Sequence, residues 1–285
     1  MFFFKLDFIG IGAQKSATSW IYKCLLEHPE ICGCPNKETH FFSRDKDFKK
    51  GPNFYKKYFI HCDPNKVVGE FSTSYLSDKN AYKRIKKYFP EVKIIVCLRN
   101  PIDRAFSHYL HLRSKNKIDK QTTLLEAIKK YPEIIENGKY GKHLARFFNN
   151  FYKEQILVLF YDDIKNNPKK FIKNIFKFLG VNEKFIATGT NKKYNTSSAR
   201  LCPLYVKVNK VYWFAKDKKI GKAAIKIAKT FGLTSYTMNN IIDKFSNVSD
   251  KISQEEKNHL SEIYFNDIKK LEKMLNKDLS FWKVR

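Results

Sequence analysis

The sequence predicts an α/β fold: a mostly parallel sheet flanked by helices on both faces, followed by a helical C-terminal region. Short apolar runs typical of buried strands occur near residue 9, within residues 67–76, and at residues 93–98 and 155–160. Amphipathic patterns with the helical period separate these runs, and such alternation is typical of parallel sheets. From residue 203 onward we find no convincing central strand, which indicates that the C-terminal region is helical.

The length of 285 residues suits one large domain with a full hydrophobic core. We therefore expect a single domain over residues 1–285. Its core covers about 1–202 and its helical C-terminal part about 203–285.

The first strand leads into a segment of small residues, Ile-Gly-Ile-Gly-Ala-Gln-Lys-Ser-Ala-Thr-Ser-Trp, at residues 9–20. Small residues let the backbone curl around an anion, and the N–H groups that open the next helix point at it. Lys15 adds a full positive charge. This pattern predicts that residues 12–19 hold a nucleotide phosphate.

The spacing excludes the two commonest nucleotide loops. A Walker A loop needs G-x-x-x-x-G-K-[ST], whereas Lys15 follows Gly12 by only three positions. The dinucleotide pattern G-x-G-x-x-G fails because Lys15 stands at its third glycine position. The strand at 93–98 ends in Arg99 rather than in a Mg²⁺-binding aspartate, so we expect a nucleotide that is handled without a metal.

A second strand, turn and helix follow at residues 98–109, Leu-Arg-Asn-Pro-Ile-Asp-Arg-Ala-Phe-Ser-His-Tyr. Pro101 suits the first helical turn. Arg99, Arg104 and Ser107 can gather near one end of this helix and hold a second phosphate, and arginine is scarce in a chain with 55 Lys+Arg. The alternative for Arg104 is an ion pair at the surface or at the edge of the core.

These two motifs resemble the cofactor motifs of the sulfotransferase family, which transfers sulfuryl groups from 3′-phosphoadenosine 5′-phosphosulfate (PAPS). The resemblance implies a P-loop-like fold, PAPS as the donor and PAP as the product. It also implies that the first loop wraps the 5′-phosphosulfate and that the second motif binds the 3′-phosphate. The chain departs from the usual loop, close to Pro-Lys-Ser-Gly-Thr-Thr-Trp, at Gln14, Ala17 and Ser19. The cofactor-binding residues implied are Gln14, Lys15, Ser16, Ala17, Thr18, Ser19, Arg99 and Ser107.

Residues 35–45, Pro-Asn-Lys-Glu-Thr-His-Phe-Phe-Ser-Arg-Asp, resemble the Lys-Glu-x-x-Phe-Phe element of glycan-modifying sulfotransferases, including the heparan sulfate N- and 3-O-sulfotransferase group. A hydroxyl acceptor needs a base to take its proton, and the resemblance implies that Glu38 is this base. We expect Glu38 and His40 to share a face of an extended segment, with His40 as neighbour or substitute. The alternative is that Glu38 merely pairs with Lys37.

Two further segments resemble the same family less closely. In Val-Val-Gly-Glu-Phe-Ser-Thr-Ser-Tyr-Leu, at 67–76, Phe71 replaces a lysine that often reaches the substrate in relatives. Glu70 and Ser72 are either pocket residues or ordinary strand-end residues. The polar loop at 191–203 contains Arg200, which either closes over the cofactor or belongs to a solvated loop.

The resemblance implies in-line transfer to a hydroxyl, most readily on a carbohydrate. Lys15 and the loop amides would stabilise the departing phosphate, and no metal would be required. Two alternatives stay open. One is a nucleotide kinase or NTPase with a degenerate loop, and the other is a noncatalytic basic protein that binds nucleic acid or membranes.

The formal net charge of +27 would attract an anionic donor and an acidic acceptor. The excess is mostly lysine spread along the chain, so we assign more of it to genome composition than to function. We expect no specific nucleic-acid partner and only weak association with anionic membranes.

The six cysteines form no C-x-x-C pair, and the short apolar start leaves no room for a signal peptide. We expect a cytoplasmic protein, or else a soluble piece of a Golgi-type membrane enzyme.

The remaining segments predict scaffold. Gly180 should end the helix at 168–179, and Ser253 should cap the last helix, which runs to about Leu275. Phe281 and Trp282 should pin the tail. Other helical patterns cover residues 81–89, 122–136 and 141–151, and Tyr161-Asp162-Asp163 lead into the helix that Gly180 should end.

Overall fold

The structure, a computed structural model, describes residues 4–35, 37–119, 121–191 and 251–282. Arg200, and all of the predicted loop 191–203 except its first residue, lie outside this part of the chain. Five parallel strands form one sheet in the order β2-β3-β1-β4-β5. The strands are β1 Phe8–Gly12, β2 Ile31–Gly33, β3 Val67–Phe71, β4 Lys93–Leu98 and β5 Ile156–Phe160.

Helices cover both faces of the sheet, because alternate residues of each strand point to opposite sides. Ile94 and Val96 of β4 belong to one buried cluster, while Ile95 and Cys97 belong to the other. The described α-helices are α1 Thr18–Leu26, α2 Asp45–Phe48, α3 Pro52–Lys56, α4 Ala81–Tyr88, α5 Pro101–Ser114, α6 Leu124–Lys130, α7 Glu133–Glu136, α8 Tyr140–Phe148, α9 Tyr161–Asn166, α10 Pro168–Leu179 and α11 Gln254–Leu275.

The two clusters recruit different helices. Helices α1 and α10 pack on the face that carries Ile95, through Ile21 and Ile175. Helices α4, α5, α8 and α11 contribute to the cluster on the other face. The predicted fold class is therefore confirmed.

The last described helix docks through polar contacts as well as apolar ones. Both carboxylate oxygens of Asp267 in α11 accept hydrogen bonds, each 2.8 Å long, from the N–H groups of Gly141 and Lys142 at the start of α8. These donors have no partner within their own helix, so the carboxylate completes it. The Tyr264 hydroxyl donates to the Ile135 carbonyl at 3.0 Å.

Several predicted element boundaries are confirmed. The β4 strand covers the predicted residues, and Gly180 ends α10 in the left-handed region at φ 81°. Ser253 and Glu256 form a capping box at the start of α11, which ends at Leu275.

Two predictions about the scaffold are wrong. The helix predicted over 122–136 is two helices, α6 and α7, because Pro132 lacks an N–H and disfavours helical backbone at Tyr131. Trp282 is buried and packs on Phe160 and Tyr140, but Phe281 is 55% exposed and does not pin the tail.

Within the described part of the chain, no helix combines the length and the apolar character needed to span a membrane.

Candidate active site

The loop between β1 and α1 is shaped to receive an anion. Lys15 and Ala17 have φ values of 70° and 57°, in the left-handed region, so the chain curls tightly before α1 begins at Thr18. The Ser16 side chain is fully buried, and its hydroxyl has no hydrogen-bond partner among the described residues. Within the described ranges, no side chain caps α1. The first N–H groups of the helix therefore remain available, as the sequence predicts for a phosphate loop.

The second motif lies against this loop. An Nη1 atom of Arg99 donates to the Lys15 carbonyl at 3.4 Å, and the guanidinium lies 4.9 Å from the centre of the Tyr161 ring. Its Nε atom is buried without a partner among the described residues. Asn100 caps α5 by accepting from the Ile102 N–H at 2.9 Å.

Ser107, the seventh residue of α5, is buried. Burial, together with the charges of Arg104 and Lys15, lowers the pKa of the neighbouring His108 to about 3. The charge of Lys15 thus reaches α5, and the two predicted motifs are close in space.

Arg104 is held by the scaffold through one nitrogen, while its Nε and Nη1 atoms are buried without a partner among the described residues. Its guanidinium is completely buried and donates to the carbonyl of Ile134, next to Tyr264 of α11. Of the interpretations open for Arg104, neither a surface residue nor an ion pair fits these contacts.

Glu38 lies beside the phosphate loop, connected to it through Lys37. The Lys37 ammonium lies 2.9 Å from Glu38 Oε1 and 3.3 Å from the Thr18 hydroxyl at the start of α1. The other carboxylate oxygen accepts from the Thr73 hydroxyl at 2.9 Å and lies 3.3 Å from His40 Nε2. A cation, a carboxylate and an imidazole therefore line one side of the loop.

The backbone that carries these groups is not the extended segment expected. Glu38 and His40 have φ values of 72° and 54°, both left-handed. The Glu38 N–H donates to the carbonyl of Phe71, the last residue of β3, at 3.0 Å. The His40 N–H donates to the hydroxyl of the next residue, Ser72, also at 3.0 Å. The expectation of an extended segment is therefore wrong, although the two side chains do meet.

The protonation states follow from the surroundings. Burial acts to raise the pKa of Glu38, but the charge and hydrogen bond of Lys37, with contributions from Thr73 and His40, hold that pKa below its ordinary value. Burial lowers the pKa of His40, and the nearby Glu38 charge offsets only part of this effect. At neutral pH, Glu38 is a carboxylate and His40 a neutral imidazole.

Glu70 lies directly beneath this segment and is completely buried. It accepts hydrogen bonds from the hydroxyls of Thr39, Tyr55, Ser72 and Tyr75, at 2.7 to 2.8 Å. Its oxygens are occupied by the scaffold, so of the two interpretations open for Glu70 the structure favours the strand-end residue. Phe71 is also buried, against Phe8 and Tyr22.

The structure brings most predicted site residues to this one edge of the sheet. Gln14 accepts from the Asn137 side chain at 3.3 Å, so it faces the loop after α7 rather than Glu38. The sequence indicates Lys37 only as an ion-pair partner of Glu38, because its contact with Thr18 arises only in the folded chain. The sequence does offer one hint: Phe71 stands where relatives often have a lysine. A positive charge lost at that position can be supplied by a lysine elsewhere, and Lys37 is a candidate.

The fold and the site together define an α/β protein in which a curled loop after the first strand leads into a helix whose first N–H groups face that loop. The chain belongs to the sulfotransferase domain family, whose model matches residues 5–251.

Relatives and solved structures agree with this assignment. The chain is 31% identical over 191 residues to the bifunctional heparan sulfate N-deacetylase/N-sulfotransferase 1 of Xenopus laevis, covering 60% of this chain and 22% of that protein. It is 29% identical over 183 residues to the human heparan sulfate glucosamine 3-O-sulfotransferase 5, covering 61% and 53%. The match thus spans only about a fifth to a half of these curated relatives.

Two solved structures share the fold. A sulfotransferase from Alicyclobacillus acidocaldarius superposes with a TM-score of 0.71 at 23% identity, covering 98% of this chain and 99% of that one. Mouse sulfotransferase SULT7A1, solved in complex with PAP, gives a TM-score of 0.54 at 15% identity, covering 92% and 84%.

Proposed function

We propose that this protein transfers a sulfuryl group from PAPS to a hydroxyl group of a carbohydrate. The observation that carries the proposal is the connection from Thr18 through Lys37 to Glu38, which sets a carboxylate beside the phosphate loop. The names of the curated relatives support a carbohydrate acceptor. Membership of the sulfotransferase family favours this reaction over the kinase and noncatalytic alternatives.

The residues present fit an anionic nucleotide. The buried Ser16 hydroxyl and the buried Arg99 Nε atom both lack partners among the described residues, and a phosphate would satisfy them. The left-handed backbone at Lys15 and Ala17 curls the loop, the kind of turn in which successive N–H groups converge on an anion. PAPS supplies an activated sulfuryl group when it is bound.

Lys15 and the amides of residues 16–19 would hold the donor phosphate and stabilise the negative charge that develops there. Arg99, which donates to the Lys15 carbonyl, and Ser107, which is buried in α5, would hold the remote phosphate. Binding at a remote group improves alignment at the reacting centre.

Glu38 would accept the proton of the acceptor hydroxyl. Its low pKa keeps it ionised, so it is ready to act at neutral pH. Because a carboxylate can only accept, the tautomer with its hydrogen on Nε2 would suit the 3.3 Å contact with Glu38, and Nδ1 would then accept from the Ser74 hydroxyl at 2.7 Å. With both ring nitrogens engaged, His40 orients Glu38 rather than replacing it.

Lys37 would have two roles. It keeps Glu38 ionised, and its ammonium supplies positive charge between the loop and the base. Two lysines, Lys15 and Lys37, would then provide the charge that a metal provides in kinases.

Donor binding is tested by the melting temperature in the presence of PAP and in the absence of Mg²⁺. A ligand that binds the folded state raises this temperature, so we expect an increase that Lys15→Ala reduces. Lys184→Ala is a matched control, since Lys184 is exposed and lies just after α10. The C-terminal carbonyls of α10 accept from Lys93, the first residue of β4, so this region lies at the edge of the sheet opposite the site.

Transfer itself is tested with labelled PAPS and glucosamine polysaccharides, either N-acetylated or with free amino groups. Labelling of the N-acetylated form supports a hydroxyl acceptor, and labelling of the free-amine form alone would move the acceptor to nitrogen. The proposal fails if PAP does not stabilise the protein or if Mg²⁺-dependent ATP binding appears instead.

A further inference from the structure

We propose that Cys32, His61 and Cys62 form a binding site for a soft divalent cation such as Zn²⁺ when the two cysteines are reduced. In the structure the cysteines form a disulfide, which is the oxidised form of the same site. The proposal concerns a cluster separate from the phosphate loop, and it stands whether or not the proposed function is correct.

The donor atoms have the spacing of a tetrahedral metal site. Nε2 of His61 lies 3.6 Å from the sulfur of Cys32 and 3.6 Å from the sulfur of Cys62. In a tetrahedral zinc site with Zn–S of about 2.3 Å and Zn–N of about 2.0 Å, sulfur and nitrogen lie about 3.5 Å apart. Only the two sulfurs must separate, to about 3.7 Å, when their bond is cleaved.

The backbone already holds the ligands together. Cys32 belongs to β2, where it pairs with Val68 of β3, and the Cys62 N–H donates to the Phe59 carbonyl at 2.9 Å. The Gly33 carbonyl lies 3.2 Å from the same imidazole nitrogen and adds an oxygen donor beside the cluster. His61 is exposed and both cysteines are half-buried, so a cation can enter from solvent.

The chemistry balances with a dithiol reductant. The dithiol gives two electrons and two protons to the disulfide, the S–S bond breaks, and the dithiol becomes a disulfide in turn. Binding of the cation then displaces one proton from each thiol, and neutral His61 donates its lone pair. Oxidation would therefore release the cation.

Either form ties together the two ends of the segment 33–61, which carries Lys37, Glu38 and His40. The disulfide does so by a covalent bond between residues 30 positions apart, and the cation would do so by coordination. The cluster thus fixes the base of the segment in both redox states.

The test is titration with Co²⁺, a spectroscopic substitute for Zn²⁺, of protein reduced with excess dithiothreitol and freed of it without air. We expect one equivalent to bind with intense thiolate-to-cobalt absorption. Zn²⁺ should displace it. Protein oxidised with glutathione disulfide should show no such absorption.

Variants separate the site from chance binding. Cys32→Ser and Cys62→Ser should abolish the charge-transfer band. His61→Ala should weaken binding beyond the about 10- to 100-fold expected for loss of a mere outer partner. His259→Ala, at an exposed position of α11, should change nothing. The proposal is overturned if Cys32→Ser retains the band, if the reduced protein shows none, or if the disulfide cannot be reduced in the folded protein.

Discussion

The carboxylates of Glu38 and of Glu70, which lies beneath it, have opposite surroundings. Glu70 is fully buried and accepts from four neutral hydroxyls and from the Thr39 N–H, whereas Glu38 keeps 28% of its side chain exposed and is paired with a lysine. A carboxylate enclosed by hydroxyls that belong to the scaffold holds the fold in place. A carboxylate held ionised at the surface of a loop can still meet a substrate. We therefore assign a structural role to Glu70 and the role of the base to Glu38.

The largest expected effect is on turnover in Glu38→Gln. Loss of a general base costs about 100- to 10,000-fold in rate, while an amide of the same shape leaves the loop intact. We expect PAP to raise the melting temperature of this variant as it does for the unchanged protein. Glu262→Gln, at an exposed position of α11, is the control for both measurements.

If Glu38→Gln retains turnover, the base moves to His40, and the assignment of roles to the two carboxylates is broken. A pH profile would then follow the imidazole.

Glu70→Gln should show the reverse pattern. An amide presents N–H groups to hydroxyls that now donate to a carboxylate, so we expect a loss of about 3 kcal/mol in the free energy of unfolding. Urea denaturation measures this loss. An unfolding free energy within about 0.5 kcal/mol of the unchanged protein, as expected at an exposed site, would mean that the cluster beneath the site is not structural.

Lys37→Met should shift the pH dependence of turnover. Without the ammonium, burial raises the pKa of Glu38 unopposed by its main partner. The base is active only when ionised, so the acid limb of kcat/KM should move to higher pH. Lys184→Met should leave the limb in place, and an unmoved limb in Lys37→Met would remove Lys37 from the site.

The smallest expected effect belongs to Tyr75→Phe. It removes one of the four hydroxyls around Glu70 and should cost about 1 to 2 kcal/mol of unfolding free energy, with kcat unchanged at temperatures where the variant is folded. A fall in kcat without loss of stability would show that the two regions are coupled.

The sequence predicted elements whose signals are local. The β4 strand is a continuous apolar run, and the Ser253 cap is completed by Glu256 three positions later. It could not reveal the left-handed backbone at Glu38 and His40, because neither residue type demands that region and the conformation depends on contacts with β3.

The other features missed are contacts between distant positions. Cys32 and Cys62 are 30 residues apart; Cys32 lies in β2, which pairs with β3, and Cys62 lies a few residues before β3. Arg104 lies in a motif of polar residues, yet its guanidinium is buried against the carbonyl of Ile134, which tertiary packing alone decides.

The docking of α11 has a consequence for how the chain folds as it is synthesised. The first N–H groups of α8 donate to Asp267 of α11. The side chain of Asn100, which caps α5, donates to the Trp282 carbonyl at 3.3 Å. Contacts of such long sequence separation form late and expose apolar surface until then. In the nascent protein, the surface of α8 and α5 that contacts α11 and Trp282 thus lacks these partners until residue 282 has left the ribosome. Chaperones would be needed during that interval.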